Sequence, residues 1–188
     1  MDQTMTPTAD RPAPSFRNEA VLALFLIALD VFARTTPHIW NFMPVAATAL
    51  FAGRTFGSRG LAVLVPLAAM VLSDAIIGFD SLRMEIVVYA CMLLPALVGI
   101  ASRRVGGAAV VIAAMLSCSL FFFIATNLAV WAFGNLYPHT VTGLIECFIA
   151  AIPFLEKTVF GDLLWTGVLF GGAWLVASLY GAGSRRAA

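Results

Sequence analysis

Charge is scarce in this chain: only 11% of its 188 residues are Asp, Glu, Lys or Arg, against about 25% in a soluble domain. Eleven basic residues face ten acidic ones, for a net charge of +1, so no long-range field gathers nucleic acid or an acidic partner. There are two histidines and no HExxH, GxSxG or phosphate-binding loop, which removes the enzyme classes those motifs carry. The expectation is a protein that is not an enzyme and holds no cofactor and no metal. Without a nucleotide site the chain does not drive uphill transport from ATP by itself. An inverted repeat is also missing, which argues against a conventional secondary carrier. Cys91, Cys118 and Cys147 are odd in number and lack a CxxC pair, so neither a disulfide framework nor a zinc site is expected. Each reads as a small buried apolar side chain.

Apolar residues make up 61% of the sequence and mean hydropathy is +0.95. A core of this size cannot hide such an excess from water. A soluble enzyme, a disordered chain and a nucleic-acid binder are excluded, and the lipid bilayer becomes the expected solvent. Apolar runs fall at about 19–34, 40–56, 61–78, 85–102, 107–133 and 158–180, each near the length that crosses a bilayer as a helix. The alternating ten-residue segments of a membrane barrel are absent. The fold class expected is all-α, a polytopic bundle of six transmembrane helices. The first run, led by Arg17 and ending Val31-Phe32-Ala33, has some features of a secretory signal, but the charge count favours a retained span.

Residues 1–18 carry three prolines and read as a disordered tail, residues 19–181 as one transmembrane domain, and residues 182–188 as a second tail. With six crossings Arg11, Arg17, Arg54, Arg59, Arg103, Arg104, Arg185 and Arg186 share one side, leaving Arg34, Arg83 and Lys157 opposite. The positive-inside rule then places both termini in the cytoplasm, with the bacterial inner membrane as the expected site. Between the fifth and sixth spans, the apolar stretch 143–156 is too short to cross. It reads as a short re-entrant or interfacial helix, ended by Pro153 and the Glu156–Lys157 pair.

Ionisable groups inside a bilayer are costly and mark function by default. Asp30, Asn41, Asp74, Asn127 and Asp162 all fall within roughly 10 Å of the outer interface at 1.5 Å per residue. His38, Arg34, Trp40, Tyr89, Trp131, Tyr137, His139 and Trp165 share that layer, while the inner halves of the spans are almost wholly apolar. The pattern predicts a polar and aromatic cup above a dry floor. Plainer readings stand beside it: the aromatic residues as an interfacial belt, Arg34 snorkelling or pairing with Asp30 one turn back, and Asp162 favouring a helix dipole. Cys91 is a buried filler or a soft metal ligand. Gly167 and Gly171 form a GxxxG that suits close helix packing. Pro44, Pro66 and Pro95 are expected to kink their helices.

The string Asn41-Phe42-Met43-Pro44-Val45-Ala46-Ala47-Thr48-Ala49-Leu50-Phe51-Ala52-Gly53 resembles a signature of an uncharacterised family of small bacterial six-helix membrane proteins. So do Pro66 to Asp74, Ile77-Gly78-Phe79, Thr126-Asn127 with Trp131, Ala151 to Phe154, and Gly161-Asp162-Leu163. That family is similar to the substrate-binding S components of energy-coupling-factor (ECF) transporters. The resemblance implies six helices, an outward-facing pocket, and capture of a vitamin or cofactor precursor. It singles out Asn41, Asp74, Asn127 and Asp162. In the cup read from the residues, Trp40, Trp131 and Trp165 would supply apolar walls, and His38 is a further binding candidate. The resemblance also implies docking on an ECF energising module, for which the first helix, with Ala20, Ala23, Ala28 and Ala33, lacks the AxxxA spacing. The function expected is micronutrient capture at the membrane. Two other readings remain: a divalent-cation or proton-coupled carrier using Asp30, Asp74 and Asp162, and a non-transporting structural or accessory protein.

Overall fold

The computed structural model describes residues 16–36 and 42–186. They form six helices in the order α1 (Phe16–Thr35), α2 (Val45–Thr55), α3 (Arg59–Ile77), α4 (Leu82–Ser102), α5 (Ala108–Phe133) and α6 (Val141–Arg186). No strand occurs among the described residues. Four of the helices, α3 to α6, are long and apolar enough to cross a membrane, which marks the chain as a membrane protein. A helix pairs most of its backbone donors and acceptors internally, as a hydrocarbon solvent requires.

Short connections make successive helices antiparallel. The end where α1 finishes and α2 begins is called the upper end below. Ser58 and Ser81 cap α3 and α4, their hydroxyls accepting from the backbone N–H groups of Leu61 and Met84. Such caps satisfy donors that a helix start leaves open. Gly78, with φ of 100°, ends α3 in a backbone region that other residues avoid.

The short helix α2 is the hub. Every residue from Val45 to Gly53 is buried, and α2 packs against α4, α3 and α6. Its approach to α4 depends on two glycines: a Cβ on Gly99 would lie 2.6 Å from the Leu50 carbonyl oxygen, and one on Gly53 would run into the Ala96 carbonyl. The expected GxxxG pair makes no such contact, since Gly167 and Gly171 both face open space. Below and beside α2 lie two apolar clusters. One joins Leu26, Phe51, Phe56 and Val65, the other Ala47, Leu50, Val111 and Met115. Phe170 of α6 closes both, its ring edge-on to Phe51 at 5.1 Å.

Polar clamps hold the lower end. Glu19 is 6% exposed and accepts from the backbone N–H groups of Gly57 (2.6 Å) and Ser58 (3.1 Å) in the α2–α3 turn. Arg54 donates to the Ser102 carbonyl and hydroxyl and to the Val105 carbonyl, while Arg103 donates to the Gly53 carbonyl. The ends of α2 and α4 therefore cap one another with cations, where carbonyls lack partners.

Three expectations are corrected. Helix α1 begins at Phe16, so residues 16–18 are helical, and the rest of the expected tail, 1–15, lies outside the described residues. Helix α2 has 11 residues, too few to span alone, because the chain enters it only after Pro44. Residues 143–156 are not a separate re-entrant or interfacial helix. They are the first part of α6, which runs unbroken for 46 residues. Pro153 does not end it: its ring is exposed, and a proline in a helix interior can cost one hydrogen bond and a kink rather than a stop. At 1.5 Å per residue α6 is about 69 Å long, well beyond a hydrocarbon core of about 30 Å. It packs against α5, Cys147 meeting Asn127 and Asp162 meeting Ser119.

Candidate functional site

A cleft of about 190 Å³ lies between the helices, reaching from Arg34 near the upper end to the middle of α4 and α5. Arg34 of α1 forms one edge. Met43, Val45 and Ala46, at the start of α2, form the back. Val88, Cys91, Met92 and Pro95 of α4 and Cys118, Ser119 and Phe122 of α5 form two walls, and Thr158 and Asp162 of α6 close the far side. The surface is mostly apolar with a few polar groups, as in small-molecule sites generally. Its volume is below the roughly 300–1,000 Å³ of sites for drug-sized ligands, so it suits a compact molecule and not a corrinoid.

The sequence places each group for a local reason. α2 starts inside the bundle because Pro44 supplies the helical φ of a first turn. Proline has no side-chain acceptor, and no side chain caps this end. The uncapped start of α2 therefore turns its partial positive charge toward the cleft. Pro95 is buried in the wall. Ser119 bonds the Met115 carbonyl of its own helix and also donates to Asp162 Oδ2 at 2.6 Å.

Asp162 is 6% exposed. Its second oxygen, Oδ1, takes no hydrogen bond among the described residues, yet is not among the sealed unpaired atoms. The residue lines the cleft, so that oxygen is available to whatever enters. No basic side chain pairs with it, since the one salt bridge among the described residues is elsewhere.

That salt bridge joins Arg34 to Asp74. Arg34 Nη2 donates to Asp74 Oδ1 and Nε donates to Ser73 Oγ at 2.6 Å. Tyr89 donates to Asp74 Oδ2 at 2.7 Å. Both carboxylate oxygens of Asp74 are thereby used. Asp74 faces a second hollow of about 220 Å³, also lined by Asp80, Glu85 and Tyr89, and Arg34 stands between the two spaces. Asp30 is fully buried and accepts from Thr48 at 2.7 Å; its Oδ1 is sealed without a partner.

Of the five polar residues expected to share one cup, the four described ones are divided. Asp162 alone of these four lines the cleft. Asp74 is engaged by Arg34 and Tyr89, and Asp30 by Thr48. Asn127 donates to the Phe123 carbonyl of its own helix at 2.7 Å. Asn41, Trp40 and His38 lie outside the described residues. Trp131 donates to the Pro138 carbonyl at 3.0 Å and stacks edge-on with His139, which fixes the α5–α6 turn. Trp165 packs on the α2–α5 cluster with its indole N–H unpaired. Among the described residues, no three His, Cys, Asp or Glu side chains converge as a metal set.

Sequence reasoning did not select Ser119, Thr158, Met43, Met92, Cys118 or Phe122. Ser119 is a hydroxyl in a largely apolar run, but Ser117 beside it carries the same signal and does not line the cleft. Cys91, read as a filler, is buried and free like the other two cysteines, and it lines the cleft.

A family model described as "Family of unknown function (DUF6580)" matches residues 14–183, and the chain belongs to that family. No curated protein and no solved structure matches it.

Proposed function

We propose that this DUF6580 member is a membrane substrate-capture protein that holds a small micronutrient, a vitamin or cofactor precursor, in the cleft between α1, α2, α4, α5 and α6. The observation that carries this reading is the open, 94%-buried carboxylate of Asp162 in a mostly apolar hollow. A structural polar group inside a bundle is normally satisfied by its neighbours, as Asp74 is. Asp162 is half satisfied and faces space.

In the bilayer all six helices insert, α1 and α2 included, with the upper end facing outward. The distribution of arginines supports this orientation: Arg54, Arg59, Arg103 and Arg104 lie at the lower end, which puts both termini in the cytoplasm of a bacterial inner membrane. The likeness to ECF S components rests on the sequence motifs around Asn41–Gly53 and Gly161–Leu163. The carrier reading finds less support, because Asp30, Asp74 and Asp162 belong to three separate hydrogen-bond systems. The accessory-protein reading accounts for Asp74, whose two oxygens are both bonded, but not for the open Oδ1 of Asp162 at the cleft.

The test is equilibrium binding of a panel of vitamins and their precursors to the purified chain in lipid nanodiscs. Met92→Trp, which fills the cleft from α4, is expected to abolish binding of any compound the wild-type protein retains, with helicity unchanged. Binding that survives Met92→Trp, or a panel in which nothing binds, would overturn the proposal.

A further inference from the structure

We infer that the cleft selects a small organic cation, an ammonium or protonated nitrogen heterocycle, with its charge on Asp162 Oδ1. This rests on the capture reading and names the class of molecule captured. The charges around the cleft carry the inference. Arg34 is the one basic side chain at its edge, and Arg34 is already bonded to Asp74, so that pair contributes no net charge. Asp162 has only the neutral hydroxyl of Ser119, and its full negative charge outweighs the partial positive charge, about half a unit, that the uncapped start of α2 turns toward the cleft. An ionised carboxylate in a low-dielectric pocket is strongly disfavoured unless a cation meets it, and the chain supplies none among its described residues. A ligand that brings the cation completes the pair.

The walls fit the same class. Phe122 contributes an aromatic ring to the lining, and Met43, Met92, Cys91 and Cys118 contribute polarisable sulfur. Rings attract cations electrostatically, and thioethers pack well on aromatic ligands. A bare metal ion is a poorer occupant. The thiols and Asp162 do not converge, and about 190 Å³ is far more than one ion needs.

The experiment uses three isosteric probes on the full chain in nanodiscs: phenethylammonium, phenethyl alcohol and phenylacetate. Phenethylammonium is expected to bind at least about tenfold more tightly than the other two, a difference of about 1.4 kcal/mol. Asp162→Asn should remove that preference, and Asp80→Asn, an exposed acid outside the cleft, should not. Because Asp162→Asn could impair folding, a second measurement uses wild-type protein. Aminoethyl and sulfonatoethyl methanethiosulfonate, cationic and anionic, are compared for their rates of disulfide formation with Cys91 and Cys118. In that reaction the thiolate bonds the reagent's sulfenyl sulfur and methanesulfinate leaves. The cationic reagent should react faster, and phenethylammonium should slow it at these two sites but not at Cys147. Equal or tighter binding of the alcohol or the acid, together with equal labelling rates, would overturn the cation assignment while leaving the capture reading intact. Silver ion binding more tightly than phenethylammonium would overturn it in favour of a soft-metal site. If no probe binds or protects the cleft cysteines, both readings fall.

Discussion

Arg34 on α1 bonds Asp74 on α3, not Asp30 one turn back on its own helix. Asp30 is turned into the bundle, where Thr48 of α2 donates to it, while Arg34 reaches sideways to tie α1 to α3. Both members are mostly buried, with side chains 13% and 8% exposed. Removing one partner of such a pair strands the other charge, which costs about 3–5 kcal/mol. Arg34→Met and Asp74→Leu are each expected to lower the thermal midpoint in detergent micelles markedly. The double variant should recover most of the loss, because no charge is left stranded. A double variant no more stable than either single one would show that the pair is not what couples α1 to α3.

The contact between α2 and α4 makes a sharper demand. Gly99 admits the Leu50 carbonyl at a distance no Cβ allows. Gly99→Ala must push α2 away from α4, and overpacking of this kind costs about 1–3 kcal/mol. Gly171→Ala adds the same methyl where nothing lies within 4 Å. The first is expected to reduce the yield of folded protein and its midpoint, the second to leave both unchanged. Equal effects from both would show that α2 and α4 do not pack this closely.

These two cases show what a linear reading can reach. Apolar runs reveal α3, α4 and α5 to within a few residues, since hydrocarbon burial is a property of local composition. Which residue meets which depends on helix rotation and neighbour order, and neither is written in one helix's sequence. The i,i+4 spacing of Asp30 and Arg34 permits a bond, but their rotation directs them to different helices. Gly167 and Gly171 match a packing motif, yet the close approach is made by Gly53 and Gly99, on separate helices and with no repeat between them.

The candidate site was legible in part for the same reason. Asp162 stands out as an acid in an apolar segment. Ser119, Met92 and Cys118 gain meaning only when α4, α5 and α6 are brought together around a hollow, and nothing in their own segments distinguishes them from core residues.

The lower clamp yields a prediction about the α2–α3 turn. Glu19 satisfies two backbone donors that belong to Gly57 and Ser58. Glu19→Ala leaves both without this acceptor, at about 1–3 kcal/mol for a buried unsatisfied group. Amide hydrogen exchange at Gly57 and Ser58 should accelerate strongly, with the midpoint reduced. Exchange rates equal to those of the wild-type chain would show that Glu19 does not hold the turn.

Pro153 tests whether α6 is one helix. Its ring removes the hydrogen bond its nitrogen would otherwise donate to the Ile149 carbonyl and crowds the preceding turn, a penalty of about 3 kcal/mol in a regular helix interior. Within a continuous α6, Pro153→Ala restores that bond, and the thermal midpoint should rise. A proline that ends an interfacial helix is compatible with its place, and its replacement would bring no gain. Spin labels give a second, geometric readout. With the native cysteines replaced by alanine, Ile145→Cys and Phe160→Cys place labels at two exposed positions on either side of Pro153. A continuous helix separates their backbones by about 22 Å at 1.5 Å per residue, and the measured distance should centre near that value with or without Pro153→Ala. A much shorter distance in the wild-type chain, lengthening to about 22 Å in the alanine variant, would mean that the helix breaks at Pro153.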